Sequence, residues 1–248
     1  MNATLNIGII GAMEVEVALL KDQLTDSRTE ERAGMAFSSG LLGGVPCVVV
    51  QSGVGKVNAA LCTQVLASVF GVTHVINTGV AGSLDATIDI GDVVVSTDCV
   101  HHDVDATNFG YAPGQVPGMP GTYPADAALR AAALAAVAHA APDIAAFEGR
   151  VASGDSFVRD AAEKDRIART FGARCCEMEG AAIAQACTVN GLPFVVVRAI
   201  SDKADGSQSE LYPVFEAKAA RHCASIVSHL VAHLAHPQDA GAHAPARS

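Results

Sequence analysis

The hydrophobic positions of this chain form short runs that do not alternate with polar ones, and longer amphipathic segments separate these runs. The short runs are rich in Val and Ile, which is typical of strands covered on both faces. They are Leu5–Ile10, Pro46–Gln51, His74–Thr78, Val93–Ser96 and Phe194–Ile200. The longer segments predict helices at Glu14–Leu24, Lys56–Phe70, Ala125–Ala140, Asp160–Phe171, Glu179–Asn190 and Leu211–Leu234. This alternation predicts an α/β protein.

One turn signal makes the predicted sheet mixed. Gly43-Gly44 separates the apolar run Phe37–Leu42 from Pro46–Gln51, and a Gly-Gly turn between two such runs favours a hairpin. The 248 residues suit a single domain. We therefore expect a central mixed β-sheet flanked by helices over residues 1–235. Residues 236–248 lack apolar periodicity and are predicted to be a disordered tail.

Composition restricts the class of partner. The formal net charge is −10, whereas nucleic acids and anionic membranes attract basic surfaces. There is no long uncharged apolar stretch, and the first residues lack the basic region of a signal peptide. We expect no nucleic-acid or membrane partner, and a cytoplasmic location by default. The seven cysteines include no CxxC pair, which predicts buried, reduced thiols.

Three carboxylates follow or adjoin predicted strands. Glu16 follows the first strand in GIIGAMEVE, Glu179 stands in EMEGAAIA, and Asp202 ends FVVVRAISD. Ligands bind at the carboxyl ends of strands in open α/β sheets. The sequence suggests no cation beside these acids, so the pattern indicates proton transfer and hydroxyl binding rather than phosphate capture. The alternatives are local: Glu16 could serve only a helix dipole, one acid of EME could be a surface residue, and Arg198 could pair with Asp202.

Other motifs give weaker signals. SGVGK at 52–56 lacks the spacer of a P-loop, so we expect a glycine turn at a helix start. NTGVAGSL at 77–84 is a second glycine turn after a strand, and Gly allows backbone to approach a ligand closely. HHDVDATNFGY at 101–111 contains potential metal ligands, but no second ligand cluster accompanies it. No metal and no cofactor are therefore expected.

Taken in order, the six motifs GIIGAMEVE, SGVGKVNAA, NTGVAGSL, SGDSFV, EMEGAAIA and FVVVRAISD resemble the 5′-methylthioadenosine/S-adenosylhomocysteine nucleosidases of the purine nucleoside phosphorylase superfamily. The resemblance extends from Ile7 to Leu234 and implies a nucleoside phosphorylase-like fold. It also implies hydrolysis of the N-glycosidic bond of 5′-methylthioadenosine and S-adenosylhomocysteine, with 5′-deoxyadenosine as a further substrate. The implied assembly is a homodimer.

The resemblance assigns a role to each carboxylate. Glu16 is the position that activates water, Asp202 protonates adenine N7, and Glu179 binds the ribose hydroxyls. Paired acid and base groups suit this chemistry, because leaving-group departure builds positive charge on the sugar and negative charge on the base. Phe109 is implied to reach the alkylthio pocket of a partner subunit. The other implied substrate-binding residues are Ala81, Gly82, Phe157, Val158, Met178, Arg198, Ser201 and Tyr212.

Three residues depart from the family pattern. Val15 interrupts a run of acids, Val80 replaces a frequent Ser, and Lys203 follows Asp202. None of them removes a group that the chemistry needs. Two alternatives remain: a phosphate-dependent purine nucleoside phosphorylase of the same fold, or a non-catalytic purine-binding regulator. Phosphate would require cationic or helix N-terminal donors, and the turns GAMEVE and NTGVAGS contain no Arg or Lys.

Overall fold

The structure, a computed structural model, describes residues 4–204 and 212–235, with side chains from residue 219 in the second segment. The strands are β1 Ile7–Gly11, β2 Thr25–Arg32, β3 Met35–Leu42, β4 Val45–Gln51, β5 His74–Ser83, β6 Val93–His101, β7 Tyr123–Pro124, β8 Ala146–Ser153, β9 Ala173–Glu177 and β10 Phe194–Asp202. The helices are α1 Glu14–Asp22, α2 Lys56–Ser68, α3 Ala127–Ala140, α4 Ala161–Phe171, α5 Gly180–Asn190 and α6 Tyr212–Ala235. A short 3₁₀ helix covers Thr107–Phe109.

The strands form one mixed sheet in the order β10-β6-β8-β9-β5-β1-β4-β3-β2, and β7 pairs with β6. Strand β10 also pairs with β5, so β5, β10, β6, β8 and β9 close into a ring. Strands β4, β1, β5 and β10 run parallel, whereas β3 pairs antiparallel with β4 across the predicted Gly-Gly hairpin. The predicted α/β class and the mixed sheet flanked by helices are confirmed.

Helices cover both faces of the sheet and create two large apolar clusters. One cluster joins α1, α3 and α6 to the sheet through residues such as Val17, Leu129 and Val227. The other joins α2 and α5 through residues such as Leu66 and Ile183. Strands between two helical layers are buried on both faces, which explains why their sequences are continuous apolar runs.

The six predicted helices are all present, with ends shifted by at most two residues. Gly191 ends α5 in the left-handed conformation, as its Asn-Gly signal indicated. Strands β2, β7, β8 and β9 were not predicted. Strand β2 is a polar edge strand with exposed side chains, and hydrophobic patterning alone does not detect such a strand.

All seven cysteines are free and buried, which confirms their prediction as reduced thiols in the core. No helix in the described part of the chain is long and apolar enough to cross a membrane. The predicted tail at 236–248 lies outside the described residues.

Candidate active site

A pocket opens where β1, β5, β9 and β10 end, and it contains about 640 Å³ of empty volume, part of it open to solvent. Ten of the twelve predicted site residues line it. They are Glu16, Ala81, Gly82, Phe157, Val158, Met178, Glu179, Arg198, Ser201 and Asp202. The chain also contributes Ala12, Met13, Val54, Val80, Ser156, Cys176 and Glu177. The sheet therefore brings together residues that stand nearly 190 positions apart in the sequence.

Glu16 is fixed by backbone donors of two segments. Its Oε2 accepts hydrogen bonds from the N–H groups of Ala12 at 2.7 Å and Met13 at 3.0 Å. Its Oε1 accepts one from the N–H of Val80 at 3.0 Å. The side chain is 1% exposed, and burial raises the pKa of Glu16, although Arg198 and these three amides oppose the shift. The carboxylate thus caps α1 and also faces the pocket, so the two interpretations of Glu16 do not exclude each other.

Two glycines make room for the acids of the pocket. A Cβ on Gly79 would lie 2.3 Å from Glu16 Oε1, and a Cβ on Gly82 would lie 2.9 Å from Asp202 Oδ1. Both distances are shorter than any real carbon–oxygen contact of this kind. The glycine turn NTGVAGSL is therefore required for close packing of β5 against both acidic side chains.

Arg198 is a buried cation among the acids. Its guanidinium forms an ion pair with Glu177, lies 3.5 Å from Glu179 Oε2, and donates to Asn77 Oδ1 at 2.6 Å. Burial lowers the pKa of Arg198, but the carboxylates of Glu177, Glu179 and Glu16 outweigh that effect and raise it overall. The expectation that no cation neutralises the acids is wrong, because β10 carries Arg198 into contact with residues that the sequence places far from it.

Both acids of EME are buried, so neither is a surface residue. Glu179 accepts a hydrogen bond from the N–H of Gly55 at 2.9 Å. Burial, and then repulsion from Glu177, raise the pKa of Glu179 from 4.5 to about 7, while Arg198 and the Gly55 amide lower it. The glycine turn before α2, whose sequence is similar to part of a P-loop, therefore binds a carboxylate of the chain itself.

Asp202 is held by its neighbours at the end of β10. Ser201 Oγ donates to its Oδ2 at 2.9 Å, and the N–H of Ala204 donates to its Oδ1 at 2.7 Å. Arg198 contacts Glu177 and Glu179, so the alternative in which Arg198 and Asp202 form the pair is wrong. Lys203 donates to Ile88 O at 2.6 Å and to Asp89 at 2.9 Å, and its ammonium is thereby drawn to the loop before β6.

The rest of the pocket wall is largely apolar. Phe157 and Val158 follow β8, Met178 lies between β9 and α5, and Ala81 belongs to β5. Phe157 lines the pocket and is 56% exposed. Flat apolar surface beside a few fixed polar groups is typical of a site for a heteroaromatic ligand.

Two predicted residues are not placed in the pocket. Phe109 is 77% exposed on the short 3₁₀ helix and does not line the pocket of its own chain. Tyr212 begins α6, but its side chain lies outside the described residues.

The histidine-rich motif has a structural arrangement of its own. His101 Nε2 lies 2.9 Å from Gln185 Oε1, and Asp103 pairs with Lys56 Nζ at 2.6 Å. No group of three or more His, Cys, Asp or Glu side chains that could hold a metal occurs among the residues that the structure describes.

Sequence reasoning missed Asn77 and Ser153. Asn77 Nδ2 donates to Ile10 O at 2.9 Å and its Oδ1 accepts from Arg198. Ser153 donates to Glu177. The available signal was a polar residue near the carboxyl end of an apolar strand, since a buried polar group needs a partner.

Comparison with known proteins identifies the family. The profile of the phosphorylase superfamily matches residues 6–232, so the chain belongs to that superfamily. A 5′-methylthioadenosine/S-adenosylhomocysteine nucleosidase of Anoxybacillus flavithermus is 46% identical over 92% of this chain and 98% of its own length.

Two solved structures are similar over nearly the whole chain. The nucleosidase of Colwellia psychrerythraea in complex with adenine has a TM-score of 0.90 and 41% identity, covering 93% of this chain and 96% of its own. The nucleosidase of Neisseria meningitidis in complex with methylthio-immucillin-A has a TM-score of 0.88 and 39% identity, covering 91% and 98%. Within the superfamily, the chain belongs to the 5′-methylthioadenosine/S-adenosylhomocysteine nucleosidases, which are N-glycosyl hydrolases.

Proposed function

We propose that this enzyme uses water to cleave the N-glycosidic bond of 5′-methylthioadenosine and S-adenosylhomocysteine, and that 5′-deoxyadenosine is a further substrate. The products are adenine and the 5-substituted ribose. The proposal depends on one observation: Glu16, Glu179 and Asp202, from three separate segments, line the same pocket beside an apolar wall. An acid, a base and a hydroxyl-binding carboxylate are the groups that this reaction requires.

Asp202 is assigned as the general acid. As the bond between the anomeric carbon and N9 breaks, its electron pair moves into the purine, and Asp202 transfers its proton to adenine N7. Ser201 and the Ala204 amide each bind one carboxylate oxygen, so the side chain is held in one orientation. Proton transfer by a positioned group typically contributes about 10²–10⁴-fold to the rate.

Glu16 is assigned as the general base. Water forms the new bond to the anomeric carbon and loses a proton to Glu16. Three backbone amides hold both oxygens of this carboxylate, and burial raises its pKa. A higher pKa makes Glu16 a stronger base than an exposed glutamate, provided that it is ionised when substrate binds.

Glu179 is assigned to the ribose hydroxyls, with Met178 beside the sugar. Phe157 and Val158 are assigned to the purine, because both line the pocket and an aromatic ring can stack on a base. The turn at Ala81 and Gly82 closes the sugar side of the pocket. No cofactor is needed for these steps.

The proposal specifies water rather than phosphate as the nucleophile. Among the described residues that line the pocket, Arg198 is the cation, and Glu177 and Glu179 already share its charge. A phosphate dianion placed there would also face Glu16. Repulsion by these carboxylates supports hydrolysis over phosphorolysis.

The test is to incubate purified enzyme with 5′-methylthioadenosine in phosphate-free buffer and in buffer with phosphate, and to separate the products by chromatography. We expect equal rates of adenine release and free 5-methylthioribose in both buffers. A phosphate-dependent rate with 5-methylthioribose 1-phosphate as product would replace this proposal with a phosphorylase. Binding of adenine without any turnover would favour the non-catalytic regulator.

We also propose that the enzyme is a homodimer that forms through α2 and α5. Val57 and Leu61 on α2 and Val189 on α5 are 69%, 50% and 68% exposed, and they line one groove. Val54 lines the active-site pocket, three residues before Val57. A second copy seated on this groove would therefore adjoin the pocket, where its exposed Phe109 could reach the 5′ substituent.

Sedimentation of the wild-type protein and of Leu61→Glu tests the dimer. A charged side chain at the centre of an apolar interface should dissociate the dimer. Val69→Glu serves as the control and should remain dimeric, because Val69 is exposed at the end of α2. A monomeric wild-type protein would contradict both the interface and the role of Phe109.

The seven free thiols also suit a reducing compartment such as the cytoplasm.

A further inference from the structure

Glu177 is a buried carboxylate to which the proposed reaction assigns no task. Its side chain is 3% exposed. It accepts hydrogen bonds from Ser153 Oγ, from the Arg198 guanidinium and from two backbone amides of the EME segment. Burying a charge is costly unless such partners compensate it, so this arrangement indicates a specific role in the site.

Part of that role is to begin helix α5. The residue at the start of a helix normally uses its own side chain to bind the first free amides. Glu179 occupies this position but its side chain does not cap the helix. Instead, Glu177 accepts from the amides of Glu179 at 3.1 Å and Gly180 at 2.8 Å, and Ser153 Oγ accepts from that of Ala181 at 2.7 Å. The carboxylate of Glu179 is thereby left to face the pocket.

The other part concerns the single positive charge of Arg198. Glu177 forms the closer ion pair with it, and Glu179 lies 3.5 Å away. The charged and titratable groups that face Glu179 are Glu177 from β9, Arg198 from β10 and Glu16 from α1, in addition to the Gly55 amide before α2. Burial raises the pKa of Glu179 to about 7, repulsion from Glu177 adds to this shift, and Arg198 opposes it only in part.

We propose that Glu177 is a positioning residue for ribose binding: it caps α5 and binds Arg198, and thereby sets the orientation and the charge of Glu179. The inference rests on the proposed function, since it concerns the group assigned to the ribose hydroxyls. Glu177 itself touches none of the reacting atoms in this mechanism.

The test is Glu177→Gln, which keeps the size of the side chain and removes its charge. At pH 8 we expect KM for 5′-methylthioadenosine to rise about 10- to 100-fold, the loss typical of a charged hydrogen bond. The affinity for adenine alone should stay within about threefold, because Glu179 is assigned to the ribose and adenine lacks it.

The pH dependence separates this role from a merely structural one. In the wild-type enzyme, Glu179 gains a proton as the pH falls through about 7, and ribose binding weakens. In the variant, residue 177 no longer repels Glu179 or competes with it for Arg198, so Glu179 stays ionised to lower pH. The ratio of KM values, variant over wild type, should therefore fall by at least about threefold between pH 8 and pH 6.

Glu163→Gln is the matched control, because Glu163 is a partly exposed residue of α4 that pairs with Arg166 and does not line the pocket. Its KM ratio should stay near one at every pH. Ser153→Ala removes one donor to Glu177 and one acceptor of α5, and it should raise KM about 3- to 10-fold, as expected for one hydrogen bond. If circular dichroism shows that Glu177→Gln does not fold, the KM of Ser153→Ala decides whether Glu177 has the positioning role.

The outcomes are distinct. A wild-type enzyme that releases no adenine would overturn the proposed function. A wild-type enzyme that is active while Glu177→Gln keeps its KM, or changes it by the same factor at pH 8 and pH 6, would overturn the positioning role. With a misfolded Glu177→Gln, an unchanged KM in Ser153→Ala would do so as well.

Discussion

Replacing Gly79 with Ala tests whether catalysis requires the close packing of β5 against Glu16 and Arg198. The added Cβ would lie 2.3 Å from Glu16 Oε1 and 2.5 Å from Arg198 Nη1. Ordinary contact requires about 3.4 Å, so one or both side chains must move by about 1 Å. Both are buried, and the backbone amides that bind Glu16 cannot follow it.

The magnitude follows from this displacement. A 1 Å misplacement of a reacting group can reduce the rate by about 10²-fold, so we expect kcat to fall by at least that factor. The residue has a φ of 157°, a conformation that L residues rarely adopt, and such strain costs about 1–3 kcal/mol. A domain of this size loses about 2–4 °C in Tm per kcal/mol, and a typical stability of 5–15 kcal/mol keeps the variant folded.

The assay measures adenine release at saturating 5′-methylthioadenosine, together with thermal unfolding. Gly121→Ala is the control, because a Cβ at Gly121 meets no atom within 4 Å. If Gly79→Ala is folded and retains kcat within about threefold of the wild type, Glu16 either tolerates the shift or does not activate water. Either result would refute the reasoning.

Three further predictions concern the acids and the aromatic wall. Relative to the wild type, Glu179→Gln should gain up to about 3 kcal/mol in its free energy of unfolding between pH 5 and pH 8. The pKa of Glu179 is raised in the folded protein, so the wild type loses stability as the pH rises from about 5 to about 7, whereas Gln does not titrate. Asp202→Asn should lower kcat by about 10²–10⁴-fold while binding adenine with near wild-type affinity in calorimetric titration. Phe109→Ala should raise KM for 5′-methylthioadenosine about tenfold or less, as expected for one partly buried aromatic side chain, and leave adenine binding unchanged.

Each of these has a contradicting result. Parallel curves of Tm against pH for the wild type and Glu179→Gln would show that folding does not raise the pKa of Glu179. Near wild-type turnover in Asp202→Asn would remove it as the acid. A KM unchanged by Phe109→Ala would exclude its contact with substrate across a dimer.

The elements of this fold were largely predictable because burial leaves a strong local signal. Continuous Val- and Ile-rich runs predicted β1, β4, β5, β6 and β10, and all six helices were found within two residues of their ends. The polar edge strand β2 and the short β9 gave no such signal. Their strand conformation comes from pairing with β3 and β8, which is a property of the assembled sheet.

The candidate site was predicted through motifs whose order along the chain resembles a known family. Those motifs identified ten residues that line the pocket. They did not reveal that Arg198 lies among the acids, that Glu177 caps α5, or that Gly55 binds Glu179. Each of these contacts joins elements that neither spacing nor periodicity connects.

The sequence by itself determined most of the strands and helices, and which acids stand near the strand ends. Hydrophobic periodicity and glycine turns depend only on residues that are close together in the sequence, so they can be recognised without the fold. Only the tertiary structure decided how those acids share one guanidinium and a small set of backbone amides. Parallel pairing of β1, β5 and β10 brings Glu16, Gly79 and Arg198 into contact from positions 63 to 182 residues apart. The charge of a buried carboxylate depends on such neighbours and on its loss of water, and both arise only when the chain has folded.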